Sequence, residues 1–379
     1  VSFAIIPPGR VHLGPGEARR APALAAALGP RGIVVHGANP ARAAWLPDGL
    51  AREGATVLTL ACPSEPTLAM LEAALGAARP HRPQWVVAIG GGAALDLGKA
   101  LAALIPAPGG PLDHLEVAGR GLPLRADPLP VIAIPTTAGT GSEATRNAVI
   151  GLPDHGRKVS LRDDKMMPRI ALVDPELMAG CPPEVTLASG LDAITQLIEP
   201  LIGRRATPYS DALARAALGP ALAALKRLTE AEDPAARATM AWAALAGGIA
   251  LTNGGLGAVH GLAGVIGGRC GAAHGAICGV LLGPVLAMNR TLAGPETRTR
   301  IDEVCSRIAE TLGGSALDAP RTLAVWACAR GLPDLATLGL SPRDHAAVAR
   351  ESRGASSMQG NPVLPDEAAL IATLAAASA

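Results

Sequence analysis

Aromatic residues are nearly missing from this chain. Its 379 residues hold one Phe, one Tyr and four Trp, 2% in all. Any core is therefore aliphatic, and no aromatic platform for stacking bases is on offer. A charge imbalance is missing too: 33 basic and 32 acidic residues leave a net charge of +1, with both signs spread along the chain. That argues against a nucleic-acid patch or a polybasic membrane anchor. None of the six cysteines forms a CxxC pair, which fits reduced thiols in a cytosolic protein, not a disulfide framework. The opening VSFAIIPPGRVHLG lacks a basic n-region and a long apolar h-region, so no signal peptide is expected. The longest apolar-looking run, near Ala241 to Leu251, contains glycines and falls short of a membrane span. The expectation is a soluble cytoplasmic protein without a nucleic-acid or membrane partner.

What is present is a large aliphatic content. Apolar residues make up 49%, enough for one large or two ordinary domains. The first half alternates short β-like runs with Ala-rich stretches. Strands are predicted at Gly32–His36, Thr56–Leu60, Trp85–Ile89, Val131–Pro135 and Ile170–Val173. Helices are predicted around Ala21–Leu28, Thr67–Ala78 and Ala93–Ile105. Fully apolar strands alternating with helices predict an α/β domain whose parallel sheet is covered on both faces. After Asp174-Pro175 the strands stop. Helices are predicted at Thr186–Leu201, Ser210–Leu228, Pro234–Leu251, Ala258–Ile266, His274–Met288, Glu296–Leu312 and Asp366–Ala377. This reads as an all-α second domain, residues 176–379 after residues 1–175, with one crossing between them and the active site expected where the halves meet. Gly109–Pro111 and Gly360–Pro365 read as loops.

Two loops carry phosphate-type chemistry. The run from Trp85 to Ile89 ends on Gly90, Gly91 and Gly92, and a helix containing Asp96 and Lys99 follows. Glycines at that junction let backbone N–H groups approach a pyrophosphate at a helix N-terminus. It is not GxGxxG, and a plain tight βα turn has the same composition. The second loop, Thr136-Thr137-Ala138-Gly139-Thr140-Gly141-Ser142-Glu143, sets hydroxyls and glycines directly after a strand. It suits either a nucleotide or the N-cap of a following helix. Two such loops on one sheet favour a nucleotide site. After the first predicted strand come Gly37, Asn39 and Arg42. No carboxylate stands there to grip the ribose hydroxyls of NAD, and Arg42 leans the choice towards NADP.

The second half carries a candidate metal set. Asp192 and Gln196 lie four apart in GLDAITQLIEP, on one face of a helix. His260 and His274 stand fourteen apart in a Gly-rich stretch. A carboxylate, an amide and two imidazoles can hold a divalent ion such as iron or zinc, although each residue also suits an ordinary structural role. Gln196 is the weak member, offering only a neutral carbonyl oxygen.

Over essentially its full length the chain resembles the iron-containing (group III) alcohol dehydrogenase family. The segments that carry the likeness are GGGAALDLGKA, IPTTAGTGSEATRN, ALVDPEL, GLDAITQLIEP, VHGLAGVIGG and AHGAICGVLLGPVLAMN. Glycerol dehydrogenase, maleylacetate reductase and dehydroquinate synthase share this fold. The resemblance implies a Rossmann-like domain, a helical domain and a homodimer. It implies that Gly91 and Gly92 hold the pyrophosphate and that Thr136, Thr137, Thr140 and Ser142 line the cofactor. Lys158 would stand near the nicotinamide or ribose, and Leu177 on the adenosine side. The metal positions carry over onto Asp192, Gln196, His260 and His274. Two positions depart from the pattern: Gln196 stands where the family commonly has His, and Gly264 where it often has a second His. The expected activity is an NAD(P)-dependent alcohol dehydrogenase or aldehyde reductase. The rivals are a metal-independent reductase of the maleylacetate type, binding a keto acid through Arg146, Arg162 or Arg269, a lyase of the dehydroquinate synthase type, and a non-catalytic nucleotide binder.

Overall fold

The computed structural model describes residues 2–378, which form two compact units. One is Pro7–Thr137 with Gly141–Ala179; the other is Ala138–Thr140, Gly180 onward and the residues through Ile6. The single crossing expected at residue 175 is corrected accordingly. The division falls after Ala179, and the tip of the second loop, 138–140, belongs with the helical unit.

The described residues contain eight strands, all in the first unit: β1 Arg10–Leu13, β2 Arg31–His36, β3 Thr56–Ala61, β4 Trp85–Gly90, β5 Val131–Pro135, β6 Asn147–Leu152, β7 Arg157–Arg162 and β8 Ile170–Val173. Six form a parallel sheet in the order β1-β8-β5-β4-β2-β3, and β6 pairs with β7 as an antiparallel hairpin. The helices of this unit are α1 Ala21–Ala26, α2 Trp45–Arg52, α3 Leu68–His81, α4 Gly92–Leu104 and the short α5 Pro111–His114.

Strand alternation sorts the core into two layers. Ile33, Val35, Val86, Ala88 and Ala133 point to the face covered by α3, α4 and the hairpin. Val34, Trp85, Val87, Ile89, Ile132 and Ile134 point to the face covered by α1 and α2. Both faces are buried, which is why β4 and β5 read as unbroken apolar runs. Trp85 fills the second face and donates its indole N–H to the Gly29 carbonyl at 2.8 Å. Gly32 opposite has no room for a side chain, since a Cβ there would lie 2.2 Å from the Trp85 ring.

The helical unit contains α6 Pro183–Ile202, α7 Pro208–Leu228, α8 Pro234–Gly254, α9 Ala258–Cys270, α10 His274–Leu292, α11 Pro295–Leu312, α12 Ala319–Ala329, α13 His345–Ser352 and α14 Glu367–Ala376. Helix α6 is buried along most of its length. Glycines let α10 close upon it: a Cβ at Gly275 would stand 2.7 Å from the Ala188 carbonyl, and one at Gly279 2.8 Å from Leu191 Cδ1. Helices α6 and α10 have the length and mean hydropathy of a membrane span, 1.2 and 1.4, which the run near Ala241 did not foretell. Their apolar windows are 83% and 61% buried inside the protein, so packing within the fold accounts for them.

Candidate functional site

The strand order reverses between β2 and β4, the place where open α/β sheets bind ligands. A cavity of about 130 Å³ lies there, lined by Gly37, Ala38, Asn39, Arg42, Ala43, Ile89, Gly90, Gly91 and Thr136. Gly90 has φ +155°, and a Cβ on it would stand 2.7 Å from Ala94 Cβ and 3.1 Å from the Gly37 nitrogen. Only glycine lets β2, β4 and α4 meet so closely. Gly91 caps α4 without a side-chain acceptor, so the first amides of α4 remain for a ligand. A Cβ on Gly91 would meet only Thr137, at 3.4 Å. The glycine here leaves room and does not relieve strain.

The structure thus gathers Gly37, Asn39, Gly91 and Thr136 around one cavity, with Thr137 beside Gly91 and Gly92 as the first residue of α4. The remaining cofactor candidates do other things. Lys158, on β7, is ion-paired with Glu65. Leu177 offers its carbonyl to the Arg42 guanidinium at 3.2 Å, and Ala179 does the same at 3.3 Å. Thr140 goes with the helical unit, where neighbouring Gly139 lies against Ser189 of α6, a Cβ there falling 2.9 Å from Ser189 Cβ. Ser142 donates its hydroxyl to Asp96 Oδ1 at 2.6 Å, and Val149 N–H donates to Asp96 Oδ2 at 3.0 Å. Lys99, 1% exposed, donates to the Ser142 carbonyl and to Thr145 Oγ1, both at 2.9 Å. Asp96 and Lys99 of α4 therefore hold the second loop from beneath. Glu143 in this loop is 2% exposed, and burial pushes its carboxyl up to about 7.

In the helical unit Asp192, Gln196, His260 and His274 come together with two residues that spacing did not single out, Glu199 and Cys278. Asp192 Oδ1 lies 3.3 Å from His260 Nε2 and 3.9 Å from His274 Nε2. Cys278 Sγ lies 3.5 Å from His274 Nε2. One ligand atom each from Asp192, His260, His274 and Cys278 lie within 4.8 Å of one another. Glu199 accepts from His260 Nδ1 and from the Val259 N–H, both at 2.7 Å. This fixes the tautomer that leaves Nε2 facing Asp192. Both residues had a sequence signal. Glu199 is seven after Asp192 and Cys278 four after His274, so each shares a helix face with a residue already chosen.

The segment around Met358–Pro362, given no role from sequence, braces α9. A Cβ at Gly261 would lie 3.1 Å from Met358 Cβ, and Asn361 Oδ1 accepts from the Ala258 N–H at 3.0 Å. At Gly264 a Cβ would meet nothing within 4 Å. Arg146, Arg162 and Arg269, the candidates for gripping a keto acid, are ion-paired with Asp164, Glu116 and Glu351 respectively.

The cluster is built for a cation. Asp192 Oδ1 and Gln196 Oε1 are buried without hydrogen-bond partners. Burial pulls both imidazoles down, but Cys278 and the carboxylates outweigh it. Cys278, Glu199 and Asp192 carry His260 well above its ordinary range, and Cys278 and Asp192 carry His274 to about 9. Burial pushes Asp192 up, and His260, His274 and Gln196 more than reverse it, leaving the carboxyl low. Anionic donors and orphaned oxygens around two imidazoles fit a divalent metal.

A glycine-lined turn at the switch point of a parallel sheet, and a carboxylate–imidazole cluster in a helical unit, are the parts of a metal-assisted, nucleotide-linked oxidoreductase. The comparisons with known proteins narrow this class. Residues 8–175 match the family model for iron-containing alcohol dehydrogenase, and residues 186–378 match that for the Fe-containing alcohol dehydrogenase family, C-terminal. The chain belongs to the iron-containing alcohol dehydrogenase family and is an oxidoreductase acting on alcohols. It is 37% identical to the NAD-dependent methanol dehydrogenase of Bacillus methanolicus over 73% of this chain and 72% of that protein. It is 33% identical to the probable alcohol dehydrogenase EutG of Salmonella typhimurium over 88% and 82% of the two chains. The iron-containing alcohol dehydrogenase of Thermococcus thioreducens superposes with a TM-score of 0.88 at 26% identity, covering 99% of each chain. A 1,3-propanediol oxidoreductase does so at 0.88 and 27%, covering 100% of each.

Proposed function

We propose that this protein is a cytoplasmic, homodimeric NAD(P)-dependent dehydrogenase of small alcohols, run in reverse as an aldehyde or ketone reductase. One observation carries the metal part of the proposal: Asp192 Oδ1, buried and without a hydrogen-bond partner, lies beside the Nε2 atoms of His260 and His274. Asp192, His260 and His274 would hold a divalent ion, with Gln196 Oε1 as a further neutral donor. When bound, the ion supplies Lewis acidity toward an alcohol or carbonyl oxygen, and the nicotinamide supplies the hydride acceptor or donor.

The chain's own residues do the positioning. Glu199 holds the His260 ring by its Nδ1 proton. The α4 amides behind Gly91 and Gly92 receive the pyrophosphate in the glycine-lined cavity. Thr136 and Thr137 border the same cofactor, while Ser142 acts on it through the loop that Asp96 anchors. The family likeness supports Leu177, whose carbonyl holds Arg42, on the adenosine side and Lys158, ion-paired with Glu65, near the nicotinamide or ribose. NADP is favoured over NAD because Gly37 leaves no carboxylate against a 2′-phosphate and Arg42 borders the same cavity. The cytoplasmic assignment is supported by six free cysteines, and the dimer by the family likeness. The keto-acid alternative gains nothing from Arg146, Arg162 and Arg269, each already paired with an acid.

The test is alcohol-dependent reduction of NAD and NADP by the protein loaded with iron, zinc or manganese, repeated after chelation. Chelation removes turnover if the proposal holds. Turnover that survives chelation overturns the metal part, and a lyase would show no net change in nicotinamide absorbance.

A further inference from the structure

We propose that Cys278 is a sulfur ligand of the metal, so that the centre is held by Asp192, His260, His274 and Cys278. This rests on the metal reading of the same site and goes beyond it by changing the donor set.

Cys278 is one helical turn after His274 on α10, on the same face. Gly275 and Gly279, each next in sequence to one of these two residues, let α10 approach α6 closely. That approach carries both side chains to Asp192. Cys278 is wholly buried, with its sulfur 3.5 Å from His274 Nε2 and within 4.8 Å of an Asp192 carboxylate oxygen. An inert core thiol would face apolar neighbours.

Three of the six edges come near those of a tetrahedral shell, to which the substrate oxygen would add as a fifth donor. With bonds of roughly 2.0–2.3 Å, the edges of a tetrahedral zinc shell are about 3.3–3.8 Å. Asp192 to His260 is 3.3 Å, His274 to Cys278 3.5 Å and Asp192 to His274 3.9 Å, and all four ligand atoms lie within 4.8 Å of one another, so a bound ion would draw the set slightly together. The competitor for the fourth position is Gln196 Oε1, also buried and unpartnered. A carbonyl oxygen is neutral and hard, whereas a thiolate is anionic and soft, so sulfur binds zinc more strongly than the amide does. Gln196, four residues after Asp192 on α6, is then a neutral neighbour of the centre and not one of its ligands. A thiolate in the set turns the site towards zinc or cobalt and away from manganese, which prefers oxygen donors.

The experiment uses the full chain loaded separately with Zn2+ and Co2+. X-ray absorption of the zinc protein should show one sulfur at about 2.3 Å, and the cobalt protein a near-ultraviolet sulfur-to-cobalt charge-transfer band. Cys278→Ala should lose both signals, while Cys270→Ala, outside the cluster, should keep them. A zinc shell of nitrogen and oxygen alone in the unsubstituted protein overturns the sulfur assignment and leaves the metal reading standing. A sulfur signal that survives Cys278→Ala overturns it as well. Failure to bind either ion overturns both.

Discussion

Glu143 sits 2% exposed in the loop after β5, and its burial carries a stability consequence with a definite sign. Burial raises its carboxyl from 4.5 to about 7, and a backbone hydrogen bond and the Lys99 ammonium pull back only part of that rise. Lys99 is itself pulled down by burial, against the support of Asp96. Between pH 4.5 and about 7 the folded protein keeps a proton that the unfolded chain has released. Stability therefore falls as pH rises through this window and levels off above it. At ~1.4 kcal/mol per unit, the loss between pH 5 and pH 8 is about 2–3 kcal/mol. Glu143→Gln removes the titration while keeping the shape. Urea unfolding of the two proteins, followed by Trp fluorescence, measures the difference. The variant's stability relative to the unsubstituted protein should grow by about that amount from pH 5 to pH 8. A difference that is the same at both pH values would refute the burial argument and mean that solvent or an added partner satisfies the carboxylate.

Three further substitutions separate folding from function. Gly91→Ala places a methyl in the cavity with only Thr137 near it, so the melting temperature should hold while NADPH and NADH affinity falls ~10-fold or more, about 1.4 kcal/mol; unchanged titrations would move the pyrophosphate elsewhere. Gly32→Ala does the opposite, driving a Cβ to 2.2 Å from the Trp85 ring, and should cost ~1–3 kcal/mol or more in urea unfolding. Glu199→Gln keeps an acceptor for Val259 but loses the charge beside His260. Zinc affinity by equilibrium dialysis should drop ~10–100-fold, and an unchanged affinity would show that the ring needs no such anchor.

The parallel sheet was legible because its strands are apolar on both faces. β5 and β8 match the predicted runs end to end, and β2, β3 and β4 differ by one residue at an end. The hairpin β6–β7 was not foreseen. Its strand RKVSLR buries only Val159 and Leu161, too few apolar residues to stand out from a loop. β1, four residues with a charged start, was hidden likewise. In the helical unit α12 and α13 were missed: α12 opens on an Ala-Pro step and α13 follows a loop of Ser, Pro and charged residues. At the site, the quartet from Asp192 to His274 was readable from residue type and spacing. Glu199 and Cys278 share a helix face with Asp192 and His274, but so do many residues, and their importance lies in contacts between helices far apart in sequence. Ser142 shows the reverse: its place in a nucleotide-type loop was legible, but its hydroxyl is held by Asp96, forty-six residues upstream.

The most direct measurement is metal content per chain, followed together with alcohol oxidation, for the protein as purified, after chelation, and for His274→Ala. One divalent ion per chain is expected, lost along with alcohol-dependent nicotinamide reduction by either treatment, while nucleotide binding to the α/β unit persists. Full alcohol oxidation by metal-free protein, or by His274→Ala, would contradict a metal-assisted site at Asp192, His260 and His274.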